Sequence, residues 1–548
     1  MTQTVAEAIG KALAGQAGTV FGLVGSGNFH VTNALTGAGA TFVATRHELA
    51  AVTAADAWAR VTGTPGIVTV HQGPGLTNAM TGIAEAAKSR TPLLILAPEA
   101  TNPRSNFHVD QRALARGVGA EHVRVRSAAT AAADLATAWD TAVNGKRTVL
   151  VGLPLEVQAE TVSEDPFGLS ENRGPQPAAP DPDTVAALTD ALTAAARPVF
   201  IAGRGARRGA QALKSLSERI NALVATSAVS RGLFKDDRFS LDVSGGFATP
   251  VAAELITDAD LIVGWGCSLN MWTTRHGTLL GPNATVVQVD DDVDALGAHR
   301  PVDLGVVGDV GATARAVLAE VERRGPASGP GYRSAKVAER LAREGRWRDV
   351  PFDPVAEPGR IDPRTLSIAL DDLLPAQRTV AVDSGNFMGY PSMFLEVPDA
   401  EGFVFTQAFQ SVGLGLASAV GAAVARPDRL TVAACGDGGL LMGVSELETA
   451  VRLGLDLIVV VYDDEAYGAE VHHFGPSGSD LEHVRFPPAD IPAIGRGFGC
   501  ASVTVRDVAD LGPVRDWVNG PRDRPLVVDA KVTRGVPSWW LEEAFRGH

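Results

Sequence analysis

Acidic residues at the two ends of one helix-strand unit are the clearest chemical feature of this sequence. The stretch GDGGLLMGVSELETAVRLGLDLIVVVYDDEAYG runs from Gly436 to Gly468; it opens on a Gly-Asp-Gly turn and closes on Asp463 and Asp464. Glycines after a strand let the backbone approach a phosphate, and the helix start that follows offers free N–H donors. A carboxylate in such a turn, Asp437, suits Mg²⁺, which prefers oxygen ligands beside phosphates.

The acids at both ends of the unit are expected to meet. Asp437 follows the run LTVAAC, and Asp464 ends the run LDLIVVVYDD. In a parallel sheet the carboxyl ends of neighbouring strands line one crevice, so both carboxylates could reach the same ion. In the alternative interpretation Asp437 only caps a helix and Asp463 and Asp464 form an ordinary turn. The complete unit favours the metal.

The elements that must position these residues recur along the whole chain. Apolar, strand-like runs alternate with helical patterns, which predicts parallel sheets covered by helices on both faces. The runs are TVFGLV, ATFVATR, GIVTVH, PLLILAP and TVLVGLP, then PVFIAG, LIVGWG and TVVQVD, and finally TVAVDSG, LTVAAC, LIVVVY and PLVVDAKV. Linker-like segments at 161–183 and 324–363 divide them. We therefore predict an α/β protein of three doubly wound parallel-sheet domains, at 1–165, 184–325 and 360–548.

Composition excludes several function classes. The chain has 548 residues and a formal net charge of -15, which argues against a nucleic-acid partner or an anionic membrane surface. No apolar run reaches membrane-spanning length, and we expect no signal peptide. The three cysteines lie far apart, without metal spacing or a disulfide framework, and fit a reducing cytoplasm.

The unit from Gly436 to Gly468 resembles the signature of thiamine diphosphate enzymes, in which Gly-Asp-Gly is followed after about 25 residues by a pair that is usually Asn-Asn. Here the pair is Asp463-Asp464. The resemblance implies Mg²⁺ held by the side chains of Asp437 and Asp464 and by the main-chain carbonyl of Ala466, with the cofactor's diphosphate completing the shell.

Two further segments carry the same resemblance. RHELAAVTAADAWARVTGTPGIVTVHQGPGLTNAM is similar to the family's pyrimidine-binding domain, and it places Glu48 where a carboxyl group bonds N1′ of the aminopyrimidine. That bond lets the cofactor's own N4′ remove the C2 proton. TQAFQSVGLGLASAVGAA is similar to the stretch that bends the cofactor, with Val412 as the wedge and the Gln410 carbonyl facing N4′. Taken alone, Glu48 could be a solvated helix residue and Val412 plain core.

The order of the domains is similar to that of the group formed by pyruvate decarboxylase, benzoylformate decarboxylase and acetohydroxyacid synthase. There each active site combines the Glu48 region of one subunit with the Asp437 region of its partner, which implies a homodimer or homotetramer. The cofactor-binding residues implied are Glu48, Gly385, Asn386, Gln410, Val412, Gly436, Asp437, Gly438, Gly439, Asp464, Ala466, Tyr467 and Gly468.

Four further positions resemble residues that handle substrate in this group. Ser26 lies in a turn, GSGNF, and His71 in VHQGPGLTNAM, both similar to benzoylformate decarboxylase. Glu470 stands where pyruvate decarboxylase has a catalytic glutamate, and Gln111 aligns with a glutamine of the synthases. A histidine at position 71 could shuttle a proton, although a purely structural histidine is an equal alternative.

The resemblance implies an enzyme that cleaves or forms the C–C bond next to a carbonyl, most simply a decarboxylase or carboligase acting on a small 2-oxo acid or aldehyde. A 2-hydroxyacyl-CoA lyase and a catalytically silent relative are the alternatives. GCSLNMWTTRHG replaces the segment that surrounds flavin in the synthases, so we expect no flavin. Trp539 and Trp540 either belong to a lid over the pocket or pack on the surface.

Overall fold

The computed structural model describes residues 2–163, 167–169, 178–325 and 331–541. Three six-stranded parallel sheets follow one another along the chain, each with helices packed on its faces. The predicted fold class is therefore confirmed. The predicted domain limit at residue 165 and the chain end at residue 548 lie outside the described residues.

The N-terminal domain holds one of these sheets and a short antiparallel pair. Its strands are β1 (Thr2–Thr4), β2 (Thr19–Gly22), β3 (Thr41–Ala44), β4 (Gly66–Thr69), β5 (Leu93–Glu99), β6 (Glu121–Arg124), β7 (Thr148–Pro154) and β8 (Thr161–Ser163). Its helices are α1 (Val5–Ala14), α2 (Phe29–Gly37), α3 (Glu48–Thr62), α4 (Pro74–Lys88), α5 (Gln111–Gly117), α6 (Ala131–Val143) and α7 (Leu155–Gln158).

The middle domain has the strand order β11-β10-β9-β12-β13-β14. Its strands are β9 (Pro198–Ala202), β10 (Leu223–Thr226), β11 (Ser240–Val243), β12 (Leu261–Trp265), β13 (Thr285–Asp290) and β14 (Leu304–Val307). Its helices are α8 (Pro182–Ala194), α9 (Ala210–Arg219), α10 (Pro250–Thr257), α11 (Met271–Thr274) and α12 (Val310–Arg324). The charged helix α13 (Ala335–Glu344) follows in the second predicted linker.

The C-terminal domain carries the Gly-Asp-Gly turn. Its strands are β15 (Arg378–Val382), β16 (Phe403–Phe405), β17 (Leu430–Gly436), β18 (Leu457–Asp463), β19 (Ala501–Val505) and β20 (Leu526–Lys531). Its helices are α14 (Pro363–Leu373), α15 (Gly389–Phe394), α16 (Gly415–Ala425), α17 (Asp437–Met442), α18 (Glu446–Arg452), α19 (Gly468–Phe474), α20 (Ile491–Phe498) and α21 (Gly512–Asn519).

The first and third sheets share one topology. Their orders are β3-β2-β4-β5-β7-β6 and β16-β15-β17-β18-β20-β19, so equivalent strands occupy equivalent places. The helix that follows the second strand, α3 in one domain and α16 in the other, packs against its counterpart. A Cβ on Gly421 of α16 would lie 2.0 Å from the carbonyl oxygen of Ala54 in α3, so the two backbones approach closely.

The alanine-rich sequence of α3 explains why residues on almost every face of this helix are buried. The helix is rich in alanine, the strongest helix former, and the small side chains allow neighbours to approach from all directions. The His47 ring accepts the N–H of Leu49 at 3.1 Å, and the helix ends at Gly63, whose φ of +69° terminates it in the left-handed region. Glu48 is thereby fixed as the first helical residue.

In the part of the chain that the structure describes, no helix is both long and apolar enough to cross a membrane. The three cysteines are all buried and all reduced.

Candidate functional site

A cavity of about 290 Å³ opens at the carboxyl ends of β15, β17 and β18. The residues predicted to bind cofactor or substrate in the C-terminal domain all line it. They are Gly385, Asn386, Gln410, Val412, Gly436, Asp437, Gly438, Gly439, Asp464, Ala466, Tyr467, Gly468 and Glu470. The crevice expected from the sheet topology therefore brings both ends of the helix-strand unit together.

The glycines of the turn are required by close approach. A Cβ on Gly438 would lie 2.7 Å from the ring of Tyr467, and one on Gly439 would lie 2.4 Å from the carboxylate of Asp383. A Cβ on Gly468 would lie 2.2 Å from Asp464 Oδ2. Side chains at these positions would displace the walls of the cavity.

Asp437 and Asp464 interact across this cavity. Burial, followed by the charges of Asp464 and Asp463, raises the pKa of Asp437 to about 8. Burial is also the largest cause that raises the pKa of Asp464 to about 7. The raised pKa values mean that the charged forms of these two carboxyl groups are unfavourable here. A divalent cation bound by both carboxylates would stabilise the charged forms. Among the described residues no group of three or more His, Cys, Asp or Glu side chains could hold a metal ion, so any further ligand beside these two carboxylates would be of another kind, such as the carbonyl of Ala466.

The neighbouring Asp463 has a different role. Its carboxylate pairs with the ammonium of Lys531, whose Nζ also lies 3.2 Å from Asp529. Asp463 is 1% exposed and accepts the N–H of Glu465 at 3.0 Å, which shapes the turn. The first aspartate of the pair is thus compensated by a lysine from β20, whereas Asp464 faces the cavity.

The segment that carries Gln410 and Val412 is held by a buried carboxylate. Asp383, at the end of β15, accepts the N–H groups of Gly413 at 3.0 Å and Leu414 at 3.1 Å. Burial raises the pKa of Asp383 to about 7, while these hydrogen bonds oppose the rise. Gln410 has a φ of +60°, an uncommon conformation for a residue other than glycine that neighbouring contacts must maintain.

The second group of predicted residues lies at the carboxyl edge of the N-terminal sheet. Glu48 is 8% exposed and accepts a hydrogen bond from Asn78 Nδ2 at 3.1 Å. A Cβ on Gly75 would lie 3.3 Å from Glu48 Oε1 and 3.0 Å from His71 Cβ, so both side chains lie against the bare Cα of this glycine. The His71 ring contacts that of Phe107 edge-on, with 5.4 Å between centroids. The structure brings Glu48 and His71 together.

Ser26 is exposed on a turn that packs against His71. Asn28 fixes this turn, because its Oδ1 accepts the N–H of Gly25 at 2.8 Å and its Nδ2 donates to Leu23 O at 3.1 Å. The N–H of Gly27 points to His71 Nδ1 at 3.3 Å. Ser26 therefore stands beside the Glu48–His71 pair.

Gln111 lies elsewhere. It is 4% exposed, its Nε2 donates to Pro98 O at 2.8 Å, and its Oε1 is buried near Gly152. Its side chain is buried in the N-terminal domain, and its partner Pro98 also lies against the turn of Ser26, since a Cβ on Gly27 would meet Pro98 Cβ at 3.1 Å.

In the described part of the chain, the first half of the predicted site does not line the cavity of the second. Glu48, His71 and Ser26 are absent from the lining of the C-terminal cavity. Each half also exposes large apolar side chains. Phe29 and Phe107 lie near the first half, and Phe409 and Met442 border the second.

The middle domain and the C-terminal segment complete the cavity wall. Met271 and Trp272 of α11 and Leu541 near the end of the described chain line it. Trp540 is buried, and its Nε1 donates to Asn386 O at 3.2 Å. Trp539 packs instead between Trp347 and the guanidinium of Arg275. Surface packing is therefore wrong for Trp540, which belongs to the core, while Trp539 is half-buried and neither ring lines the cavity; a lid over the pocket stays a prediction.

Sequence reasoning missed several residues that position the site. Asn28 and Asn78 lie within the quoted motifs but carry no signal beyond their polarity. Asp383, in TVAVDSG, follows a strand in the same way as Asp437 and could have been noticed on that basis.

Comparison with known proteins agrees with this geometry. Residues 3–118 match the N-terminal TPP binding domain of thiamine pyrophosphate enzymes, residues 185–317 the central domain and residues 383–530 the C-terminal TPP binding domain. Together these matches span more than two thirds of the chain. Thiamine pyrophosphate is another name for thiamine diphosphate.

Curated relatives are similar over nearly their whole length. An acetolactate synthase large subunit of Parasynechococcus marenigrum is 29% identical over 89% of this chain and 80% of its own. A probable 2-ketoarginine decarboxylase of Pseudomonas aeruginosa is 29% identical over 93% and 91%. A sulfoacetaldehyde acetyltransferase of Castellaniella defragrans is 28% identical over 90% and 86%.

Proposed function

Since the chain belongs to the thiamine pyrophosphate enzymes, we propose that it uses thiamine diphosphate and Mg²⁺ to cleave or form the C–C bond next to a carbonyl, as a decarboxylase or carboligase of small 2-oxo acids. The observation that carries this proposal is the pairing of Asp437 with Asp464 in a cavity that also contains Glu470. A metal-diphosphate anchor and a titratable group thus stand in one pocket.

The residues present fit the cofactor. Asn386 Oδ1 and Gln407 Nε2 line the cavity, and both are buried without a hydrogen-bond partner among the described residues, as expected of groups that bind a polar ligand. Asp437, Asp464 and the carbonyl of Ala466 supply the oxygen donors that Mg²⁺ takes. The bare glycines, Gly438 among them, leave room for a diphosphate.

When bound, thiamine diphosphate supplies the carbon nucleophile and the electron sink for the reaction. The chain's own groups hold the reactants and move protons. Glu48, oriented by Asn78, presents its carboxyl group to the pyrimidine ring. His71 belongs to the half that carries Glu48, and Glu470 lines the C-terminal cavity; each can give a proton to the substrate or take one from it.

We propose that two copies of the chain assemble each site, in a homodimer or homotetramer. Glu48 lies outside the cavity of its own chain, and a partner would bring its Glu48 face to that cavity. The exposed Phe29, Phe107, Phe409 and Met442 around the two halves support a buried contact there.

The cavity wall favours an apolar substrate side chain. Met271, Trp272 and Leu541 form it, and no Lys or Arg is present among the described residues that line the cavity. An anionic side chain would find no cationic counterpart among these described lining residues. Buried, reduced cysteines fit the cytoplasm as the place of action.

The first experiment is an exchange measurement. Purified protein with Mg²⁺ and thiamine diphosphate should bind the cofactor and speed deuterium exchange at its C2 carbon. Glu48→Gln should retain the fold and much of the binding but slow exchange by orders of magnitude. Near-full exchange in this variant would show that Glu48 does not serve the cofactor, and absence of binding would refute the function itself.

A hybrid experiment tests the assembly. Glu48→Gln and Asp437→Ala each damage one half of a site, so each homodimer should be inactive. In a co-expressed hybrid, one site carries both lesions and the other carries neither, and up to half of the normal activity should return. If each site is built within one chain, the hybrid stays inactive.

A panel of 2-oxo acids, acyloins and acyl-CoA esters then identifies the reaction. Turnover of apolar 2-oxo acids is expected. Turnover confined to acyl-CoA esters would indicate a 2-hydroxyacyl-CoA lyase, and cofactor exchange without any turnover would leave a silent relative.

A further inference from the structure

The contact between α3 and α16 is flanked by two reciprocal sets of hydrogen bonds between the N- and C-terminal domains. In each set, a buried glutamate of one domain accepts two consecutive backbone N–H groups of the other. An arginine beside it donates to a carbonyl two or three residues earlier. Each set holds the segment that follows the second strand of the sheet in the opposite domain of the same chain.

The C-terminal domain holds residues 44–47 of the N-terminal domain. Glu446 Oε1 accepts the N–H groups of Arg46 at 3.0 Å and His47 at 3.1 Å, and Arg452 donates to the carbonyl of Ala44. Glu446 is 1% exposed, so these bonds are made away from water. The next residue along the chain is Glu48.

The N-terminal domain holds residues 405–409 in the same manner. Glu85, also 1% exposed, accepts the N–H groups of Ala408 at 3.2 Å and Phe409 at 2.6 Å. Arg60 donates to the carbonyl of Phe405 at 3.0 Å. The next residue along the chain is Gln410.

We propose that Glu446 and Glu85 are positioning residues that set the locations of Glu48 and Gln410 from across the domain boundary. This inference rests on the proposed function, in which those two residues face the cofactor. The strained φ of +60° at Gln410 supports it, because such a conformation persists only where neighbouring contacts over-determine it. Neither glutamate touches the cavity itself.

The groups that donate hydrogen bonds to each carboxylate show that glutamine can replace Glu446 but not Glu85. At Glu446, Oε1 takes both backbone N–H groups, while Oε2 is 2.6 Å from the hydroxyl of Thr449 and has only a longer contact, 3.3 Å, with the N–H of Arg46. A hydroxyl can accept as well as donate. A glutamine can therefore keep its carbonyl on the two amides and donate its NH₂ to Thr449. Glu446→Gln thus retains the two shorter backbone bonds and loses the charge and the longer 3.3 Å contact with Arg46.

At Glu85 a glutamine cannot do this. Oε1 faces Arg60 at 2.9 Å, Ser89 at 3.1 Å and the N–H of Ala408, and Oε2 faces the N–H of Phe409. Either orientation of a glutamine places an NH₂ against a backbone N–H donor. Glu85→Gln should thus release residues 408–409, unlike the same change at position 446.

The test measures C2 exchange and cofactor affinity on the full-length enzyme with Mg²⁺ and thiamine diphosphate. Glu446→Ala should slow exchange about 10- to 100-fold, the size expected when a catalytic group moves by about an ångström. Its cofactor Kd should change far less, because the segment that is released lies in the N-terminal domain, whereas the proposed diphosphate site lies in the C-terminal domain. Glu446→Gln should restore exchange to within about threefold. Glu85→Gln should slow exchange at least tenfold.

The matched control is Glu448→Gln, which removes ion pairs to Arg46 and Arg452 at the same boundary but leaves the backbone amides held. Normal exchange is expected. If Glu446→Ala does not fold, Glu446→Asp, whose carboxylate is one methylene shorter, takes its place in the same comparison.

Three results would overturn the proposal. They are normal exchange in folded Glu446→Ala or Glu446→Asp, a Glu446→Gln variant as slow as the alanine variant, and normal exchange in Glu85→Gln. The Glu48→Gln variant serves as the reference. If it does not slow exchange, the proposed function has failed rather than the positioning role.

Discussion

Replacing Asp464 with asparagine should weaken the dependence of cofactor binding on Mg²⁺ without abolishing activity. Asparagine keeps a side-chain oxygen at the same place and removes one of the two negative charges that face each other in the cavity. The unmodified chain should therefore attract a divalent cation more strongly, and repel the diphosphate more strongly when no cation is present.

The size of the effect follows from the charges. Two carboxylates that share one cation stand roughly 4 Å apart, and at an effective dielectric constant of about 20 their repulsion is about 4 kcal/mol. Relaxation and solvent reduce this, so we expect Asp464→Asn to weaken Mg²⁺ binding by about 1–3 kcal/mol, which is roughly 5- to 150-fold. The Mg²⁺-free variant should also unfold at a higher denaturant concentration.

The assay is a titration of thiamine diphosphate affinity at a series of Mg²⁺ concentrations. Asp464→Asn should approach normal affinity and activity at saturating Mg²⁺. Asp464→Ala should not, because a ligand position is lost. Asp463→Asn is the matched control, since that carboxylate binds Lys531 rather than facing the cavity.

Two outcomes contradict this reasoning. If Asp464→Ala binds metal and cofactor like the unmodified chain, Asp464 is not a ligand. If Asp463→Asn changes the Mg²⁺ dependence more than Asp464→Asn does, the roles of the two aspartates are exchanged.

Three other predictions concern the acid–base groups, the buried lysine and the middle domain. His71→Ala and Glu470→Gln should each lower turnover roughly 10²- to 10⁴-fold while C2 exchange stays fast; an equal loss of both rates would show that these residues serve the cofactor instead. Lys531→Met should lower the free energy of unfolding by about 3–5 kcal/mol, because it leaves the buried carboxylates of Asp463 and Asp529 without their cation. Urea denaturation measures this, and a change below about 1 kcal/mol would contradict it. The protein should purify without flavin, since the loops after β9 and β12 pack so tightly that a Cβ on Gly203 would lie 2.1 Å from Gly266 O; a yellow preparation with stoichiometric FAD would be the opposite result.

The sequence was most informative where strands are buried on both faces. β5, β7, β17 and β18 are apolar along their length and were all predicted. The strands without a predicted counterpart are β1, β6, β8, β10, β11, β14, β16 and β19, and all but β10 lie at the edge of a sheet. Edge strands are short and partly exposed, as in EHVR of β6, so they lack a continuous apolar run.

In the site, too, the features that depend on residues close in sequence were predictable, and those that depend on distant residues were not. The glycine turn, Asp437 and Asp464 lie close in sequence within one unit, and their shared cavity follows from parallel topology. The bonds of Glu85 and Glu446 join residues that are more than 300 positions apart, and no local pattern indicates them. The family resemblance predicts Asp464 rather than Asp463 as the metal ligand, but no local pattern indicates that Asp463 pairs with Lys531 from a distant strand.

The packing of α3 against α16 has a consequence for synthesis of the chain. α3 ends at Thr62 and α16 begins at Gly415, so the ribosome must add the residues from 63 to 414 before the partner helix exists. At about 5–20 residues per second this takes roughly 20–70 s. During that interval the face of α3 that packs against α16 has no partner within its own chain, so we expect the N-terminal domain to be prone to aggregation until α16 has been made.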